Sequence, residues 1–260
     1  MLDKTIKTLY PKIKNITLEE AANMFAAYST LASNQMLADT LFEKFGFQCD
    51  SKDVRSIINY ATVSKYPNET TIKSAFINNV LTKTKNHITI FELNTNNCRV
   101  DLCKINGESV AFEIKTDLDN LKRLSNQLTD YLNVFEEVYV ICSEDKYHSI
   151  LEVLPECVGV YTYRINRLGN YVFTKAKDAS KEHNLCHLKQ LELISKIDKV
   201  RYSIDENSNP DTINSIFKHT LKEKYSRQWD FLISNKDNIY DIDYQWFFRN
   251  QIEPNIIYSY

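Results

Sequence analysis

The dipeptide Asn106-Gly107, set between two strand-like runs, constrains this chain more than any other feature. Asn-Gly between alternating apolar residues is a strong local signal for a β-hairpin. Strand side chains alternate between faces, so Asp101 and Cys103 share one face while Val100 and Leu102 take the other. On the partner run Glu113 and Lys115 share a face, opposite Phe112 and Ile114. A two-residue turn would pair Asp101 with Phe112 and scramble the faces. A three-residue turn, Asn106-Gly107-Glu108 with a bulge, pairs Asp101 with Glu113 and keeps the four apolar residues together. Because a one-residue slip reverses every side chain, burial selects the second register.

That register sets two carboxylates directly opposite each other, which destabilises a hairpin unless something cationic lies between them. Carboxylate oxygens suit Mg²⁺. Lys115 can orient or deprotonate an attacking water, or offset charge developing on a phosphate. The plain alternative is a solvated hairpin face with a cross-strand ion pair of little worth.

Periodicity places this hairpin in a mixed α/β fold. A helical pattern runs from Thr17 to Phe45 with Gly46 as its stop, and weakens towards Ser64. Pro67 and the cap-like Asn68 precede a helix carrying Ile72, Phe76 and Val80. "HITIFEL" (His87–Leu93) reads as the first strand, ahead of the hairpin. A leucine stripe from Leu118 to Leu132 predicts a helix, and "EVYVICS" (Glu137–Ser143) a buried parallel strand. A short helix near Tyr147 and strands at Val158–Arg164 and Tyr171–Thr174 complete the pattern. A crossover helix between strands implies a mixed sheet with helices on its faces. The expected organisation is an N-terminal helical extension (1–65), a core (66–200) and an aromatic-rich C-terminal extension (201–260) without a clean period, entered through a linker at 203–212.

The residues around the hairpin resemble those of a known superfamily. Asp101, eleven intervening residues, then Glu113-Ile114-Lys115 resembles the active-site signature of the PD-(D/E)XK nucleases, the restriction-endonuclease-like fold. Val100 stands where the signature has proline. "AFEIKTDLDNLKRLSNQLTDYLNVFEEVYVI" is similar to a small bacterial sub-family in which the EIK motif precedes Gln-x-x-x-Tyr, here Gln127 and Tyr131. The resemblance covers roughly residues 66–195. It implies an αβββαβ core and a hydrolase that cleaves phosphodiester bonds with Mg²⁺ or Mn²⁺. Asp101 and Glu113 would be metal ligands and Lys115 the residue supporting water attack. A further carboxylate would come from Glu69 or Glu92. Gln127, Tyr131 and Arg99 would contact these residues or the substrate, and Lys122 and Arg123 would form a nucleic-acid rim. The implied partner is nucleic acid, DNA ahead of RNA. The alternative is a nuclease-like domain that has lost catalysis and binds nucleic acid or protein.

Composition narrows the field. The chain is 43% hydrophobic and 25% charged, ordinary for a globular protein, and its net charge of −2 offers no global positive field. None of its four glycines belongs to a phosphate-cradling loop or a GxSxG elbow. None of its six cysteines forms a CxxC pair, so reduced thiols are expected. His183 and His187 have metal-ligand spacing on an expected helix, but no third ligand accompanies them. The sequence holds no membrane-spanning run, and its start mixes Lys, Asp and Pro into the apolar residues. A cytoplasmic protein without membrane attachment is expected, with a homodimer or a partner protein left open through the terminal extensions.

Overall fold

The structure is a computed structural model that describes residues 2–95, 97–181, 183, 185–197 and 204–259. Five helices come first: α1 (Leu2–Leu9), α2 (Leu18–Ala27), α3 (Asn34–Phe45), α4 (Val54–Lys65) and α5 (Glu69–Asn79). Three strands follow, β1 (Ile88–Thr95), β2 (Cys98–Asn106) and β3 (Glu108–Lys115), then α6 (Leu124–Leu132) and β4 (Glu137–Ser143). The chain continues through α7 (Tyr147–Leu151), β5 (Gly159–Ile165), β6 (Tyr171–Lys177), α8 (His187–Ile197), α9 (Pro210–Asn235), α10 (Tyr244–Asn250) and α11 (Pro254–Tyr258). The fold is mixed α/β: one six-stranded sheet in sequential order with flanking helices, and helical regions at both ends.

The chain divides into two compact units, each discontinuous in sequence. The first comprises 1–75, 165–170 and 231–260, and the second comprises 76–164 and 171–230. In the first, Thr17 caps α2 through a reciprocal box with Glu20, and Ser33 caps α3. The continuous helix expected from Thr17 to Phe45 is therefore two helices. Tyr28, extended at the end of α2, and the Ser33 cap break it where apolar spacing alone gives no signal. Gly46 ends α3 in the left-handed conformation, as expected of a helix stop.

In the second unit β1, β2 and β3 are antiparallel neighbours, while β3–β4 and β4–β5 are parallel. The hairpin register pairs Ile105 with Ser109 and Leu102 with Phe112, as a three-residue turn at Asn106-Gly107-Glu108 requires. Both faces of β3 are covered, so the solvated face that alternation suggested is absent from this strand. Phe112 packs with Phe76, Tyr139 and Tyr161 on one face. On the other, Tyr131 of α6 reaches Glu113.

Two further expectations are corrected. The helix read from Leu118 begins only at Leu124, because Asp119 Oδ2 accepts from both the N–H and the hydroxyl of Thr116 at 2.8 Å and fixes a turn instead. The C-terminal region without a clean period includes a 26-residue helix, α9, whose Pro210 falls inside the expected linker; residue 203 of that linker lies outside the described residues.

Candidate active site

The sheet brings three carboxylates onto neighbouring strands of the second unit. The β1–β2 register pairs Phe91 with Leu102 and Leu93 with Val100, which sets Glu92 at the level of Asp101. One step beyond the Leu102–Phe112 pair, Asp101 stands at the level of Glu113. The oxygens of Glu92 and Asp101 lie within 4.8 Å of each other. Asp101 also replaces a ladder partner: its Oδ2 accepts from the backbone N–H of Ile114 at 2.7 Å, where β2 and β3 stop pairing.

Glu92 has φ of +56°, a left-handed conformation inside a strand. Such a conformation in a non-glycine residue costs on the order of 1–3 kcal/mol, so the surrounding sheet must hold it. The Glu92 carboxylate is ion-paired with the guanidinium of Arg99, which is largely exposed. Glu69 opens α5 within the first unit, where its carboxylate pairs with the buried ammonium of Lys73.

Glu113 and Lys115 are both buried, and Lys115 Nζ donates to Glu113 Oε1 at 2.7 Å and to Gln127 Oε1 at 2.9 Å. The second oxygen of Glu113 accepts from the Tyr131 hydroxyl at 2.8 Å. That hydroxyl also lies 2.8 Å from the Arg99 carbonyl, and its single proton serves one acceptor at a time. Burial, and then the Glu113 charge, push the Tyr131 phenol well above its ordinary range, so it stays a donor. Gln127 and Tyr131 thus both engage the Glu113–Lys115 pair. Lys122 and Arg123 are exposed just before α6. His183 precedes α8, and its ring nitrogens lie 2.9 Å from the Phe135 carbonyl and 3.2 Å from that of Ser180.

Lys146 and Asp130 went unnoticed in the sequence. Lys146 Nζ donates to the carbonyls of Thr116 and Asp119 at 2.8 and 2.7 Å, steadying the turn after Lys115. Asp130, buried on α6, accepts from Thr95, from Asn97 at 3.3 Å and from Lys189 at 3.2 Å. Both act through contacts distant in sequence, which periodicity does not report.

The donor set fits a hard divalent cation, since it offers carboxylate oxygens and no thiolate or imidazole. Mg²⁺ bound at about 2.1 Å spans oxygens up to about 4.2 Å apart, and the Glu92 and Asp101 oxygens lie within 4.8 Å of each other.

A family model described as Bacteriophage P4 protein cII matches residues 62–251. Protein cII of Enterobacteria phage P4 is 38% identical over 68 residues, a stretch that spans 26% of this chain and 26% of that protein. A protein of unknown function from Silicibacter pomeroyi is similar in structure with a TM-score of 0.34 and 13% identity, over 52% of this chain and 94% of that one.

Proposed function

This chain belongs to the bacteriophage P4 protein cII family, and within the span that carries the match we propose a metal-dependent nuclease site of the PD-(D/E)XK type, acting on DNA rather than RNA. The observation that carries the reading is the register that sets Asp101 and Glu113 level on adjacent strands, with Lys115 Nζ 2.7 Å from Glu113. Asp101, Glu113 and Glu92 would hold Mg²⁺ or Mn²⁺. Bound there, the ion would polarise the phosphate and lower the pKa of a water.

The residues of the chain supply the rest. Lys115, fixed by Glu113 and Gln127, places a cation where negative charge grows on the phosphate. Tyr131 orients the Glu113 carboxylate. Arg99, exposed and held by Glu92, can leave that carboxylate when a cation arrives. Lys122 and Arg123 would steer the polyanionic strand towards the site.

A second reading has its own observation. Both Glu113 oxygens already accept hydrogen bonds, as they would in a nuclease-like domain that binds without cutting. Purified protein incubated with circular and linear DNA and with RNA separates the two. Cleavage with Mg²⁺ or Mn²⁺ that stops in EDTA, and that Glu113→Gln lacks, supports the nuclease. Binding without cleavage under every metal condition supports the second reading.

A further inference from the structure

Beside the carboxylates, still within the second unit, lies a cleft of about 400 Å³ whose lining includes Asn97, Arg123, Asn126, Gln127, Asp130 and Lys189. We infer that this cleft receives one nucleotide of the strand next to the scissile phosphate, with its phosphate on Arg123 and its base edge towards Asn97, Asn126 and Asp130. The inference rests on the nuclease reading for what happens beyond the cleft, and on the cleft itself for binding.

Three observations carry it. Gln127 belongs to two places at once: it lines the cleft and accepts from Lys115 Nζ at 2.9 Å. A strand lying in the cleft therefore runs directly to the Lys115–Glu113 pair. Next, the two cations at the cleft differ in availability. Lys189 is committed to Asp130 at 3.2 Å, whereas the Arg123 guanidinium has no hydrogen bond or ion pair among the described residues. Its planar fork matches two phosphate oxygens. Finally, the floor is polar and fixed. Asp130 is held by Thr95, Asn97 and Lys189, which leaves amides at the wall to donate and accept along a base edge.

The size agrees. A volume of about 400 Å³ suits a nucleotide unit, at the small end of ligand clefts. A duplex would not enter a space of that size, so the strand in the cleft is single, whether supplied so or locally opened.

The test uses the full chain and a fluorescein-labelled single-stranded oligodeoxynucleotide in Ca²⁺, read by anisotropy, beside cleavage kinetics in Mg²⁺. Arg123→Ala should weaken binding about tenfold and raise KM by a similar factor, with a much smaller change in kcat. Arg123→Lys should recover part of the loss, because a point charge keeps the attraction but not the fork. A methylphosphonate placed singly along the strand should reproduce the loss at one position near the cut in wild type and add nothing further in Arg123→Ala. Equal binding and KM for wild type and Arg123→Ala would overturn the cleft and leave the nuclease reading standing. Arg123-dependent binding with no cleavage in any metal would uphold the cleft and remove the nuclease reading. An effect spread evenly over all methylphosphonate positions would show a diffuse basic rim and overturn the single-nucleotide site.

Discussion

The two units each bury a charged network, and the networks are built on opposite plans. In the first unit the buried Asp243 carboxylate accepts from the hydroxyls of Tyr28, Thr30 and Tyr258, each at 2.7 Å. The buried Arg55 guanidinium donates to Asn34 Oδ1 at 2.7 Å, to the Tyr28 hydroxyl at 3.0 Å, and to the Thr30 and Ala32 carbonyls. It also lies over the rings of Tyr28 and Tyr258. The acid and the base there are bridged by the Tyr28 hydroxyl, and neutral groups occupy what remains. In the second unit Glu113 pairs with the buried ammonium of Lys115 and Glu92 with the exposed guanidinium of Arg99, with Asp101 on the strand between them. The first network is closed on itself. The second gathers three carboxylates on adjacent strands, the arrangement that the proposed cation site would use.

The largest effect should fall on the closed network. Asp243→Ala leaves three buried hydroxyls without their acceptor and removes the acid nearest the buried Arg55, so a loss on the order of 3 kcal/mol is expected in chemical denaturation. An unchanged midpoint would show that water or a rearranged partner already satisfies Arg55, and the contrast between the networks would break.

Next comes the site network, where the cost should be larger in chemistry than in folding. Glu113→Gln keeps an acceptor for Lys115 and a donor for Tyr131 but removes the acid paired with a buried ammonium, so its denaturation midpoint should fall, by less than that of Asp243→Ala. Cleavage should fall on the order of a hundredfold or more. A Glu113→Gln protein that cuts normally would remove this carboxylate from the reaction. Glu113→Ala is the harsher variant: the sequence suggested relief of repulsion, but the carboxylate holds hydrogen bonds from Lys115 and Tyr131 that alanine would abolish.

A smaller effect contrasts the units through pH. Burial works to raise the Glu136 carboxyl, but the Ser109 N–H, Lys218 and Asn214 overcome it and hold the group down at about 2. Its contribution is therefore complete above the ordinary carboxylate range near 4.5 and is lost as pH falls towards 2. Asp243 runs the other way. Burial raises it despite the hydroxyls and Arg55, so its contribution is greatest in acid and diminishes as pH rises. Glu136→Gln should flatten the acid loss of stability between pH 5 and 2 by on the order of 1 kcal/mol, measured by urea titration at each pH. A slope identical to wild type would place the acid sensitivity elsewhere.

The smallest change is at the rim. Lys122→Ala should reduce the salt dependence of oligonucleotide binding by about one phosphate contact and leave kcat unaltered. An undiminished slope would take Lys122 off the path of the strand.

The hairpin was legible because turn chemistry and burial agreed: Asn106-Gly107 fixed where the chain reverses, and the apolar residues fixed the register. Strand β4 was equally plain, a short apolar run matching Glu137–Ser143. What stayed hidden depends on contacts far apart in sequence or on backbone torsion. No pattern in "HITIFEL" announces that Glu92 turns left-handed, and Glu92 remained level with Glu69 as a candidate ligand. Leucine spacing from Leu118 suggested helix, yet Leu118 is exposed and the turn at Thr116–Asp119 prevails. Helix α9 escaped because its mixed polar and aromatic residues carry little periodic signal. Asp101 and Glu113 were named from the hairpin residues and Glu92 only as the alternative to Glu69 that the resemblance implied, while the commitment of both Glu113 oxygens went unseen.

The hairpin tip bears on how the site behaves as a mechanical part. At the turn, Lys218 Nζ of α9 holds the Gly107 carbonyl at 2.6 Å, and Glu136 holds the Ser109 N–H at 2.7 Å. At the far end Asp101 grips the Ile114 N–H, and Tyr131 reaches the Arg99 carbonyl. A ribbon clamped at both ends is a beam rather than a cantilever, and it resists bending at the level where Asp101 and Glu113 stand. The spacing of those carboxylates is then set by the frame, so a cation bound at the proposed site would be sorted by radius, one that suits the gap being favoured over a larger one.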